Sequence, residues 1–320
     1  MLIILAVLAL GSLAVAVSTG SGRVGAPDLI DLLFSTTDPA TEDVLLQLRL
    51  PRALAAFGTG AALALAGVLM QVLLRNPLAD PYILGTSGGA AVAALTAIMT
   101  GAGVLVVDLS AFGGALGSTL LVFLIARHRG DWAPGRLLLT GVVIAAGWGA
   151  VISLMLAMSP DTNLRGILFW LMGDFSFARN PWPSLSVTVL AVVASLALAR
   201  SLNVLATGEQ QAALLGLRVR PVRVCVYVMS ALLTAIAVTT AGTIGFIGLV
   251  VPHLIRLIGG PDHRILLPSA ALAGGALLVI ADTLARTVLA PRQLPVGAIT
   301  ALIGVPLFLF LLGRTVGTKD

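Results

Sequence analysis

The chain has 320 residues, of which 58% are apolar and only 10% charged, and its mean hydropathy is +1.06. A soluble chain carries about a quarter charged residues, so these values exclude a water-soluble globular protein and leave an all-α polytopic membrane protein. The net charge of +5 belongs to basic loops that set membrane orientation and is no sign of nucleic-acid binding, while a single cysteine, Cys225, excludes an intramolecular disulfide.

Apolar runs long enough to cross a hydrocarbon core of ~30 Å recur along the chain. Ten spans are predicted, at 1–18, 53–74, 83–100, 104–126, 137–158, 184–200, 222–240, 243–258, 265–285 and 296–312. An even number places both termini on one side. With the termini inside, twelve Lys and Arg residues face the cytoplasm and seven face out, as basic-loop bias requires.

Residues 1–18 lack a basic n-region, so they read as a retained first helix rather than a cleaved leader. Residues 19–48 form the longest predicted outer loop. RLPRALAAFGTGAALALAGVLMQ (49–71) then opens a helix at Pro51. Its glycines and alanines make a small-residue surface for close helix contact. Arg49 and Arg52 sit at that predicted N-terminus, where the dipole disfavours cations, so an acidic partner is expected to offset them. The following LLRNPLADPYILGTSGGAA (73–91) holds two prolines and Asn76, which force a turn.

After the fifth span, Pro160 to Pro183 contains a short apolar piece, Ile167 to Met172, expected as an interfacial helix or an anchored loop at the outer mouth. Asn203 to Arg223 is a polar, basic, helix-capable insert. Ala206-Thr207-Gly208 can start a helix, Glu209 suits its first turn and Gly216 can stop it. The insert is either a solvated loop or a docking helix. The apolar stretch 224–258 is too long for one span and is expected to break near Thr239 to Gly242, before GTIGFIGLVVPHLIRLIGGPDHR (242–264). Asp282 is taken as the one ionisable residue within a span, with Arg286 at i, i+4 to neutralise it. No repeat or linker divides residues 1–320, which read as one membrane domain.

Catalytic chemistry is not visible. A P-loop requires lysine after its glycines, and the only lysine is Lys319. His128, His253 and His263 fall near span ends, where a structural or solvated role is expected. The chain is read as no enzyme, with no cofactor or metal of its own.

Taken together in order and spacing, RLPR (49–52), QVLLRNPLADPYILGTSGGA (71–90), GEQQAALLGL (208–217), GTIGFIGLVVPHLIRLIGGPDHR (242–264), DTLAR (282–286) and LPVGAITALIGVPLFLFLL (294–312) resemble the FecCD permeases. These are the membrane subunits of type II ABC importers for ferric siderophores, haem and vitamin B12. The resemblance implies about ten helices in a homodimeric permease of the bacterial inner membrane, with a path at the dimer interface. Two cytoplasmic ATPase subunits, which bind ATP and Mg, and a periplasmic binding protein complete the assembly. It implies a coupling helix at Gly208, Glu209, Gln210, Ala212, Ala213, Leu215 and Gly216, within the segment 203–223. It places a cytoplasmic gate at Asn76, Pro77 and Leu78, with a second gate element in the loop at Ala133-Pro134-Gly135, which lacks the family's small hydroxyl residues. Arg49, Arg52 and Arg286 would face acidic groups of the binding protein. The cargo would be a large metal chelate. An ATP-independent carrier or channel is the alternative, for which buried charges or inverted repeats are needed.

Overall fold

The computed structural model describes residues 1–20, 25, 27–28, 31, 34, 38–127, 133–176, 178 and 180–316; Arg23, His128, Arg129, Arg179 and Lys319 lie outside them. Among the described residues the main α-helices are α1 Leu2–Ser18, α2 Pro39–Leu74, α3 Thr86–Met99, α4 Val104–Ala126, α5 Pro134–Met158, α6 Asp161–Met172, α7 Trp182–Ala197, α8 Ala199–Ala206, α9 Glu209–Leu214, α10 Val219–Ala241, α11 Ile247–Gly259, α12 His263–Thr287 and α13 Val296–Val316. Among the described residues there is no strand. Each predicted span falls on a helix. Among the described residues five helices are long and apolar enough to cross a bilayer: α2, α4, α5, α10 and α12. The bent pair α7–α8 supplies a sixth, and α1, α3, α11 and α13 are shorter apolar helices.

α2 is the central post. From Ala55 to Leu74 nearly every residue is buried, glycines and alanines included. Its small residues allow backbone contact with two neighbours. A Cβ on Gly60 would collide with the Gly274 carbonyl oxygen on α12, and one on Gly67 with the Gly248 carbonyl on α11. Without a hydrophobic drive between helices in lipid, such close approach supplies the packing energy.

Three boundaries differ from the sequence reading. Residues 39–48 are helical, not loop: Pro39 occupies the first turn, a π-turn at Val44–Arg49 joins it to the long helix, and Leu45 is fully buried against the bundle. Arg49 and Arg52 therefore lie inside a continuous helix, and the N-terminal dipole argument does not apply to them. The 184–200 span bends by 66° at Leu198, so that Asn203 stands on a separate helix, α8, which buries Ala199, Leu202 and Leu205. The short outer piece extends back to Asp161, giving a twelve-residue helix, α6.

The expected break in 224–258 is present. α10 ends at Ala241, Gly242 takes φ +68°, and α11 begins after Phe246, a non-glycine residue at φ +70°. Bare backbone at membrane depth has to be satisfied by protein. The Ile244 N–H donates to the Tyr82 hydroxyl at 3.2 Å, the Thr243 hydroxyl to the Leu171 carbonyl, and the Ala241 carbonyl accepts from the Asp174 N–H at 2.9 Å.

Candidate functional site at the two ends of the bundle

One end gathers the turn after α2 and the segment 203–223. α2 stops at Arg75, which takes left-handed φ +48°, and the Asn76 N–H closes the turn on the Gln71 carbonyl at 3.1 Å. The Asn76 side chain then accepts from the Leu78 N–H at 2.9 Å, and Asp80 accepts from the Tyr82 N–H at 2.8 Å. Burial pushes the Asp80 carboxyl up to about 6, against the Tyr82 N–H, which pulls it down. Pro77 and Leu78 are exposed. Gln71 joins this corner to α11, donating to the Leu249 carbonyl at 3.3 Å and accepting from Arg256 at 2.9 Å. Pro134 opens α5 at its first turn; residues 128–132 of the fourth-to-fifth loop lie outside the described residues.

The segment 203–223 forms a helix where its local signals predict one. Gly208 at φ +121° precedes α9, and Gly216 at φ +82° ends it. The Gly216 and Leu217 N–H groups return to the Ala213 and Ala212 carbonyls at 3.0 Å each, a Schellman closure. Glu209 takes a 2.8 Å ion pair from Arg223, whose side chain is 5% exposed, so α9 is tied to α10. The faces of α9 separate sharply. Ala212 is fully buried, while Leu214 and Leu215 are 88% and 70% exposed and Gln210, Gln211 and Ala213 also face out. Ala212, grouped with the contact residues in the sequence reading, points into the bundle. Leu214, omitted there, is the most exposed apolar side chain of the segment. A Cβ on Gly208 would stand 3.4 Å from the Arg75 guanidinium, so the start of α9 abuts the turn of Asn76, Pro77 and Leu78.

At the opposite end lies an arginine cluster. Arg52 forms a forked pair with Asp282, with Nε at 3.0 Å and Nη2 at 2.7 Å, and Asp174 lies 4.0 Å from the same guanidinium. Arg286 pairs with Asp282 at 3.4 Å, as its spacing on one helix face allows. It also donates to the Ala16 carbonyl at 2.6 Å, and Arg49 donates to the Val17 carbonyl at 2.9 Å. Two arginines thus satisfy the orphan carbonyls at the C-terminus of α1, the end where a cation is favoured. The partner that Arg52 requires is Asp282, 230 positions away. Sequence reasoning had no signal for that pairing, which depends on how α2 and α12 pack.

A second correction concerns carboxylates within spans. Asp108 lies in the first turns of α4, inside the predicted 104–126 span, so Asp282 is not alone. Of the histidines, His263 opens α12, where it is buried and faces Asn203, whereas His253 lies half-buried in the middle of α11 and not at its end; His128 is outside the described residues.

With this geometry in view, the comparisons are consistent. The haem (hemin) transport system permease HmuU of Yersinia pestis is 42% identical, with 98% of this chain and 94% of that protein covered. The cobalamin import permease BtuC of Halobacterium salinarum is 44% identical over 86% of this chain and 74% of its own length. A solved structure described as an inward-facing conformation of a metal-chelate type ABC transporter superposes with a TM-score of 0.87 at 33% identity, covering 98% of both chains. The FecCD transport family matches residues 4–314, and the chain belongs to that family of transport permeases.

Proposed function

We propose that this chain is the membrane permease of an ABC importer that carries a large metal chelate from periplasm to cytoplasm, driven by ATP and Mg bound in separate ATPase subunits. The observation that carries the reading is α9: it is pinned inside by Ala212 and the Glu209–Arg223 pair and bare outside at Leu214 and Leu215. A short helix anchored on one face and apolar on the other is built to receive a partner. In this reading residues 203–223 dock the ATPase, and both termini lie in the cytoplasm of a cell whose inner membrane holds the protein. Asn76, Pro77 and Leu78 form the inner gate. Arg49, Arg52 and Arg286 meet acidic groups of the binding protein, which compete with Asp282 and Asp174 for the guanidiniums of Arg52 and Arg286.

The permease works as a homodimer. Support comes from α5, in which only Leu137 and Gly141 are buried and a Cβ on Gly147 or Gly149 would meet nothing within 4 Å. A glycine-bearing face left open on a membrane helix suits a second copy of the chain. The cargo we favour is an iron chelate, haem included, because the haem permease relative matches almost end to end; a ferric siderophore and cobalamin are the other candidates. The chain itself holds no cofactor, and residues 1–320 act as one membrane domain. An ATP-independent carrier is the second reading, and Asp108 and Asp282 are the carboxylates it would use. Affinity purification of the tagged permease with its neighbouring ATPase separates the two: a stable complex supports the importer, and an ATPase that never co-purifies supports the carrier. Ligand affinity of the cognate binding protein then identifies the chelate.

A further inference from the structure

We propose that Asn203 is a positioning residue that locks the coupling segment to the first turn of α12, so that displacement of α9 is carried into the helix holding Asp282 and Arg286. The proposal rests on the reading of residues 203–223 as the ATPase-docking segment.

The Asn203 amide is used at both ends. Its oxygen accepts from the His263 N–H at 3.0 Å and lies 2.6 Å from His263 Nδ1, and its nitrogen donates to Asp262 at 2.8 Å. Asp262 also accepts from the Arg264 N–H at 3.0 Å, capping α12. The first N–H groups of a helix have no partner within it. In α12 that of Arg264 is satisfied locally, and that of His263 is satisfied by a residue of α8. The start of α12 is therefore built in part by the coupling segment. The Asn203 bond is the leading reason the Asp262 carboxyl is held below its ordinary value, with the Arg264 N–H next.

α8 diverges by 66° from α7, and its Asn203 sits five residues ahead of Gly208. Such bonds tolerate only a few tenths of an ångström around about 2.9 Å. Movement of α8 must then pull α12 or break the contact. α12 has 25 residues and at 1.5 Å each is about 37 Å long. Its middle is pressed against α2 at Gly60 and Gly274, and its far end holds Arg52 through Asp282. One helix thus touches both the docking segment and the arginine cluster.

The test uses side chains of equal size in the full complex of permease, ATPase and ligand-loaded binding protein in lipid nanodiscs. Asn203→Asp sets two carboxylates against each other. Asn203→Asp with Asp262→Asn restores the pairing, because the carboxylate then accepts from His263 while the amide still caps α12 and can donate across. Expected is a complex that assembles in both variants, with stimulation by the binding protein read as a ratio to each variant's own ATP hydrolysis without it. Stimulation by the binding protein falls at least about fivefold in Asn203→Asp, the lower range of measured couplings, and returns in the exchange. Wild-type stimulation in Asn203→Asp, or a loss that the exchange does not restore, overturns the proposal. Leu214→Arg with Leu215→Arg serves as a separate arm: intact ATPase assembly there would refute the docking reading itself, whatever Asn203 does.

Discussion

The residue with most at stake is Asp282. Its side chain is 3% exposed and compensates both Arg52 and Arg286. Removing one member of a buried pair leaves charge stranded and costs about 3–5 kcal/mol, whereas replacing the set by apolar groups of similar size can be neutral. Asp282→Ala is therefore expected to lower the thermal unfolding midpoint in detergent strongly, and Arg52→Met with Asp282→Leu to recover part of it; equal midpoints for Asp282→Ala and wild type would show the pair to be idle. Asp80 gives a prediction with a pH sign. Its folded value, about 6, lies above the ordinary 3.8 because burial penalises the carboxylate. The folded state thus holds the proton more tightly, stability falls as pH rises from about 4 to 6, and the penalty is complete above that. Asp80→Asn keeps the cap without the charge, so its gain in melting temperature over wild type should be larger at pH 7.5 than at pH 4. A gain independent of pH would contradict the assignment. The Asp282–Arg286 spacing was legible in the chain because helical neighbours are local. The Arg52 partner was not, since it is set by tertiary packing.

Among the elements, α9 shows where local signals suffice and where they stop. Glycines at positions 208 and 216 mark both ends because positive φ is costly to any other residue. A six-residue helix is too short for its apolar period to reveal which side faces in, so Ala212 and Leu214 could not be sorted from sequence. The structure sorts them, and the mutations follow. Ala212→Arg drives a charge into a fully buried position and should reduce the amount of folded permease in the membrane. Leu214→Arg with Leu215→Arg changes only the exposed face, and is expected to preserve folding while reducing ATPase co-purification at least about tenfold, the loss from removing a central apolar anchor. Normal co-purification would remove α9 from the docking site. The small-residue character of α2 was equally legible, but its partners were not: Gly274 and Gly248 lie far along the chain.

For the whole molecule, the sequence could be divided into spans because hydropathy reports the bilayer directly, and the glycine-rich break after α10 could be anticipated from length alone. The bend at Leu198 and the early start of α2 carry no such mark. If two copies meet across the path with the inner gate closed, Leu78 of each lies near the axis. With Cys225 removed, Leu78→Cys should then form a crosslinked dimer in membranes, and a lipid-exposed Leu78 would give monomer only. The most direct measurement is uptake into proteoliposomes of an iron chelate presented by the binding protein. Permease with ATPase, binding protein and internal Mg-ATP is expected to accumulate chelate, and omission of any one of these should abolish uptake. Accumulation by the permease alone, without ATPase or nucleotide, would contradict the importer reading.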